Sequence, residues 1–282
     1  LAGLAGFALA SCSGVKSYKN SVTQKVFLEK LSDFVKDSTL LNADNPYSFT
    51  INANSHSKTE TMYLKNAKTI SEEVMDVKSE TLTEFDSVNS ILHSKGLYET
   101  YEETPSDIKT EKYDGDYMLQ CDSKNFFEVD MKSKIYKKTS SSKPSDEVVH
   151  QADKAIGALL GFVEQMGIFS DAKYYIDGDT YTCELNNDEE DDETTRTGKT
   201  VYQMVASSDK IELYSESEVV LKKLNFVEVI TDSSSYELKK KDVKLDSVNL
   251  DKYLDGTKGF DDYDAFGMMP GSSFIYTLLS IR

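Results

Sequence analysis

Three residue types in this chain are placed where they could do chemistry: clustered carboxylates, three histidines and three cysteines. The densest charge feature is Asp188-Glu189-Glu190-Asp191-Asp192-Glu193. A hard cation takes several oxygen ligands. Consecutive carboxylates, however, cannot all converge on one ion, and no glycine stands where an EF-hand loop makes its sharp turn. Together with residues 194–198 the run reads as a solvated polar loop between two strands. Asp114-Gly115-Asp116 and Asp177-Gly178-Asp179 also offer paired carboxylates, but Asp-Gly is hairpin-turn chemistry and both are expected at hairpin tips. His56, His93 and His150 stand in a polar strand end, a candidate helix and a helix face. None adjoins a nucleophile-elbow serine or cysteine, and the G-x-S-x-G, H-E-x-x-H, P-loop and G-x-G-x-x-G patterns are absent. A triad assembled from distant segments would leave no such local trace. No catalytic residue, metal ligand or cofactor site is therefore assigned.

The cysteines divide into two kinds. Cys12 ends an uncharged apolar run, Leu1-Ala2-Gly3-Leu4-Ala5-Gly6-Phe7-Ala8-Leu9-Ala10-Ser11, and a polar chain follows at once. A spanning helix needs about 20 apolar residues, which this run does not reach. Leu9-Ala10-Ser11-Cys12 resembles the lipobox of bacterial lipoproteins, with an apolar h-region of about 7–15 residues ahead of small residues at the cut. The resemblance implies cleavage between Ser11 and Cys12 and a diacylglycerol on the Cys12 thiol. It also implies a location on the extracytoplasmic face of a bacterial membrane, the outer membrane where the source has one. Neither an initiator Met nor a basic n-region precedes Leu1, so the chain is read as starting inside its signal peptide. Cys121 and Cys183 fall in the alternations Tyr117/Leu119/Cys121 and Tyr181/Cys183/Leu185, both on the apolar side of a strand. An oxidising compartment permits a disulfide between them; two separately buried thiols fit the pattern equally well.

Composition narrows the partners. A formal net charge of −17 argues against nucleic acid, whose phosphates are held by Lys and Arg. It also makes a lipid at Cys12, and not a basic patch, the means of membrane attachment. With 17 Tyr and 13 Phe the chain has large rings to bury, although only 39% of its residues are hydrophobic.

The elements follow from periodicity. Residues 21–38 read as an amphipathic helix opened by a Ser21/Gln24 capping box, with Val22, Val26, Phe27, Leu31, Phe34 and Val35 on one face. From Tyr47 the period becomes two: Phe49/Ile51/Ala53, then Met62/Leu64 and Met75/Val77 as the next strands. Residues 83–95 read as a short helix ended by Gly96. Strands are expected at 96–103, 108–113, 116–122, 125–131 and 134–138. A second long helix is expected at 145–167, then strands at 172–176, 180–185, 200–206, 210–214, 225–231 and 235–240. The two Asp-Gly hairpins each lead to a cysteine strand, as a duplicated unit would, but shared turn chemistry accounts for that more simply.

The order predicts an α+β fold: a large curved antiparallel sheet, half-barrel-like, covered by two main helices. Residues 1–11 are read as signal peptide, 12–20 as lipidated tether, 21–259 as one domain and 260–282 as an unassigned C-terminal segment. Element order and anchor together resemble the LolA/LppX-like half-barrel carriers of lipoproteins and lipids over residues 21–255. That resemblance implies a cavity between sheet and helices for a lipid or other amphipathic ligand, with no binding residue carried over. A cell-envelope interaction or adhesion module without a cavity is the second expectation, and a hydrolase with dispersed residues the third.

Overall fold

A computed structural model of the chain describes residues 15–40, 47–191 and 193–256. The run at 1–11, Cys12 and the segment 260–282 lie outside the described residues. A strap at 15–20 leads through strand β1 (Ser21–Val22) into helix α1 (Gln24–Asp37). Strands β2 (Phe49–Lys65), β3 (Lys68–Asp86), β4 (Ile91–Thr104), β5 (Asp107–Cys121), β6 (Asn125–Asp130) and β7 (Ile135–Ser140) form one antiparallel meander. Helix α2 (Pro144–Met166) leads to a second, made of β8 (Lys173–Asp177), β9 (Thr180–Asn186), the short β10 (Glu189–Glu190), β11 (Thr194–Ala206), β12 (Lys210–Lys223) and β13 (Phe226–Lys240). β13 pairs with β2 along its whole length, fusing both meanders into one open 14-stranded sheet. The edges are closed by two-residue strands: β1 on β8, and β14 (Leu254–Asp255) on β7. Short edges offer little template for pairing with another chain. The large antiparallel half-barrel with two helices is thus the architecture found.

The helices are held by one face of the sheet. Phe49, Ile51 and Ala53 of β2 share a buried cluster with Phe85, Leu92, Leu119, Cys183, Tyr202, Met204, Leu213, Tyr236 and Leu238 from the flanking strands. Phe27 and Leu31 of α1, and Val148, Leu159, Phe162 and Val163 of α2, fill the same cluster. Alternate positions supply it because successive side chains in a strand point to opposite faces. A smaller cluster on the other face, Ile91, Met118, Phe127 and Val129, is covered by the chain after β13 through Leu245, Val248, Leu250 and Tyr253. Buried Gln120 fixes that covering chain: its amide accepts from Val248 N at 2.7 Å and donates to Val248 O at 3.1 Å.

Four local expectations are corrected. The N-cap of α1 is Thr23, whose hydroxyl accepts from Val26 N. Ser21 belongs to β1, and Gln24 donates instead to Gly167 O. Residues 83–95 are not a helix but the ends of β3 and β4 with a turn between them. Fully buried Asp86 makes that turn: its carboxylate accepts from Val88 N, Asn89 N and the Asn89 amide, and from Leu245 N at 3.0 Å. Asp114-Gly115 is not a hairpin tip but mid-β5, with Gly115 opposite Gly96; the reversal falls at 105–106. The Asp-Gly argument for a duplicated unit therefore lapses. Only Asp177-Gly178 is a turn, with Gly178 at φ +61. Finally, the strands expected to end at 214 and 231 run on, through 223 and 240, because hydroxyls pair across the ladder: Ser215 with Ser234 at 2.6 Å, Thr200 with Ser217 at 2.9 Å.

A Cβ at Gly198 would meet Glu218 O at 2.4 Å and Val219 Cα at 2.8 Å, whereas one at Gly157 would meet nothing within 4 Å. Gly198→Ala should cost about 1–3 kcal/mol by forcing two backbones apart, and Gly157→Ala should stabilise by about 0.5–1 kcal/mol, both read by chemical denaturation. Burial alone would raise the Asp86 carboxyl, but its hydrogen bonds from Leu245, Asn89 and Val88 outweigh this and leave it below its ordinary value. Its contribution is present above the ordinary Asp pKa and is lost as pH falls through the depressed one. Asp86→Ala should cost about 1–3 kcal/mol at neutral pH and flatten the acid limb of a stability-versus-pH curve.

Candidate functional site

The structure disperses the residues singled out for chemistry. Cys121 and Cys183 are both free thiols, so no disulfide joins them. They lie on β5 and β9, with six strands of the sheet between them. Cys183 is fully buried, and that burial pushes its thiol up to about 12; Cys121 is half-buried and is also raised by burial. The His93 ring pairs with the Asp116 carboxylate at 2.7 Å across β4 and β5, and His56 pairs with Asp76 at 3.0 Å across β2 and β3. Within the acidic run Glu189–Glu190 form β10, Asp191 accepts from Glu193 N and Thr194 N, and Asp188 accepts from Gly198 N; residues 194–198, expected as part of a polar loop, are instead the start of β11, held by pairing with β12. Among the described residues no three His, Cys, Asp or Glu side chains are grouped to hold a metal ion. No helix among them is long and apolar enough to cross a membrane.

Most of the aromatic residues line the core. Tyr117, Tyr174, Tyr181, Tyr202, Phe126 and Phe127 are buried, and burial pushes the Tyr202 hydroxyl up to about 12. Tyr98 and Tyr113 differ: they face each other across β4 and β5 and are 39% and 40% exposed. Their side chains flank the Gly96–Gly115 pair on the helix-side face, where the Tyr117 ring lies over Gly115 and its hydroxyl meets that of Tyr113.

That pair marks where the sheet outruns its helices. The helix-packed cluster ends at the level of Ala53 and Tyr236. Beyond it, residues 55–64 of β2 and 226–235 of β13 are half-exposed at every position, on both faces. Cross-strand pairs also hold these long strands together, such as Ser55 with Ser79, Tyr63 with Glu73 and Lys112 with Glu99. The helix-side face of this distal half still carries apolar residues, with Val219 opposite Ile230 and Met75 and Val77 on β3. At its rim three hairpin tips project Leu224, Ile70 and Ile108, which are 91%, 64% and 61% exposed. On the opposite face a shallow depression of about 420 Å³ is lined by Asn52, Asn54, Glu80, Lys95, Asp116 and Lys132 among others.

The expected tether at 12–20 is, in its described part, a docked strap on the face opposite the helices. Fully buried Gln203 accepts from Lys16 N at 2.6 Å and donates to Lys16 O at 2.9 Å, and also to Thr182 Oγ1 at 2.9 Å. The Tyr18 hydroxyl donates to Glu184 at 2.6 Å and accepts from Lys199 at 3.0 Å, with its ring 4.7 Å from that of Tyr175. Lys19 N and the Asn20 amide both donate to Asp177. Burial acts to raise the Glu184 carboxyl, but the hydrogen bonds from Lys199 and Tyr18, with the charges of Lys199 and Lys173, leave it below its ordinary value. Sequence reading missed this site because Gln203 and Glu184 sit at strand positions that alternation assigns to solvent.

No family model and no curated protein matches the chain. Among solved structures it is similar to lipovitellin, from a study of lipid–protein interactions, at 6% identity and TM-score 0.33, over 73% of this chain and 27% of that one. A protein assigned as AttH from Nitrosomonas europaea matches at 6% identity and TM-score 0.18, over 67% and 52%. The translocator domain of the autotransporter NalP from Neisseria meningitidis matches at 7% and 0.15, over 76% and 94%. The chain thus spans about a quarter of the lipovitellin chain and about half of the AttH chain. These scores are too low for any of the three to say what this chain does.

The Glu184 network makes strap docking pH-dependent. Its contribution is present above the ordinary Glu pKa and is lost as pH falls through the depressed value. In an NMR titration the Tyr18 ring resonances should move toward free-peptide positions at acid pH, and Glu184→Gln should give a Tyr18 environment that no longer changes over that range.

Proposed function

We propose that the chain is a lipid-anchored bacterial lipoprotein of the extracytoplasmic face whose body acts by non-covalent docking, without catalysis, as a cell-envelope interaction module. The observation that carries this is the division of the half-barrel. Beneath the helices the sheet's face is packed with fully buried side chains such as Phe49, Leu92, Leu119 and Met204. In contrast, β2 and β13 beyond that region are half-exposed on both faces, and three apolar hairpin tips are open to solvent. With that face occupied by the chain's own core, this reading puts the binding surface outside the helix-covered region.

The distal face also supports a second reading, in which the partner is a lipid or other amphipathic small molecule lying along the open trough. Ile230, Met75 and Val77, with the half-exposed Tyr98 and Tyr113, are the observation in its favour. Exposed rings beside small residues offer a stacking surface with polar hydroxyl tips. In this reading the ligand sits beyond the helices and not under them.

The two are separated by one set of measurements. Photo-crosslinking groups placed at Tyr98 and Met75 should capture a protein partner in cells, while one at Lys154 on the exposed side of α2 should not. Native mass spectrometry of the purified body should show the bare mass for an interaction module, and a bound lipid for the trough reading. Absence of both adducts and lipid would sink the docking function. Cys12→Ala should abolish incorporation of a fatty-acid probe, and continued labelling would refute the anchor.

A further inference from the structure

We infer that the strap turns the lipid anchor into an orienting device, seating the body against the bilayer surface by the sheet face opposite the helices. This rests on the reading of Cys12 as the lipidated residue. Three residues, Ser13, Gly14 and Val15, separate Cys12 from Lys16, whose backbone is held on both sides by the buried Gln203 amide. Four Cα–Cα steps span at most about 14 Å. A free tether of nine residues would let the body tumble over a much wider range. The docked one moves the effective point of attachment from the chain end to the middle of β9 and β11.

The strap is tied at three successive places, at Gln203, at Glu184 with Lys199, and at Asp177, and it then continues into β1 at the sheet edge. Detachment at one place therefore leaves the other two. The face it crosses is the one carrying Glu218, Lys199 and Glu184, because those positions alternate with Val219, Thr200 and Cys183 on the helix side. The sheet and a helix layer together separate that face from the exposed side of α2 by about 20 Å. The occupant of the strap face is thus a lipid headgroup surface, and α2 points away from it.

The chain contains no tryptophan, so single introduced tryptophans report without background. The lipidated protein would carry Glu218→Trp on the strap face or Lys154→Trp on α2, reconstituted in phosphatidylcholine vesicles containing a dansyl-labelled lipid. Energy transfer from E218W should exceed that from K154W at least about twofold, since transfer falls steeply over such a separation. Inserting ten Gly/Ser residues between Ser13 and Gly14, outside the docked strap, should bring the two efficiencies together. Equal transfer without the insertion, or a difference that survives it, overturns the orientation. Failure of the protein to float with vesicles, with Cys12 unmodified by mass, overturns the anchor itself and is read separately.

Discussion

The whole molecule depends on the fit between two helices and one end of a sheet that is longer than they are. Alternate residues of nine strands, from Tyr174 on β8 round to Leu119 on β5, converge on Phe27, Leu31, Leu159 and Phe162. Removing that apolar surface from water is the dominant favourable contribution available to the chain. A sheet curls most readily into a half-barrel when its concave face has something to enclose, and the helices are that filling. Past the level of Ala53 no helix residue joins the cluster, and the strands continue on hydrogen-bonded ladders and cross-strand side-chain pairs. The proximal end is therefore a core and the distal end largely a surface.

The opposite face is organised by a different interaction. Two buried glutamines, Gln120 and Gln203, each hold one passing residue of an irregular segment by both its backbone groups. A primary amide carries a donor and an acceptor side by side, so it can replace a neighbouring strand for one residue. The pieces so held, residues 15–20 and the chain around Val248, run on into the two-residue strands that close the sheet edges. The same contacts thus satisfy buried polar groups, cover an otherwise bare face and protect the edges from adding a foreign strand. Loss of either glutamine would be felt at the corresponding edge.

Much of the architecture was legible as alternation. The two long helices, the meanders on either side of α2 and the apolar side of both cysteine strands follow from spacing alone, and they recur in the structure within a few residues. The legible part ended where polar residues do structural work. Glu216 and Ser217, or Asp232 and Ser233, look like loop in one dimension because their partners are on other strands. Asp114-Gly115 has turn composition, yet it is mid-strand, paired opposite Gly96, with the Tyr117 ring lying over Gly115. The stretch around Phe85 and Leu92 has helical spacing, and what overrides it is Asp86, whose carboxylate gathers donors from its own turn and from Leu245, 159 residues away.

The sequence by itself determined the charge, the apolar alternation, the helix stripes and the single feature at Cys12 that resembles a lipid-attachment site. These are local properties, set by side chains and their near neighbours. Only the tertiary structure decided that both helices pack on one end of one sheet face, that Cys121 and Cys183 are free thiols on well-separated strands, and that the polar residues after Gly14 form a docked strap. Each of these turns on which strands lie side by side. Register between β13 and β2, or between β11 and β9, is a sum of many weak pairings over the whole sheet, and no short stretch of the chain contains it.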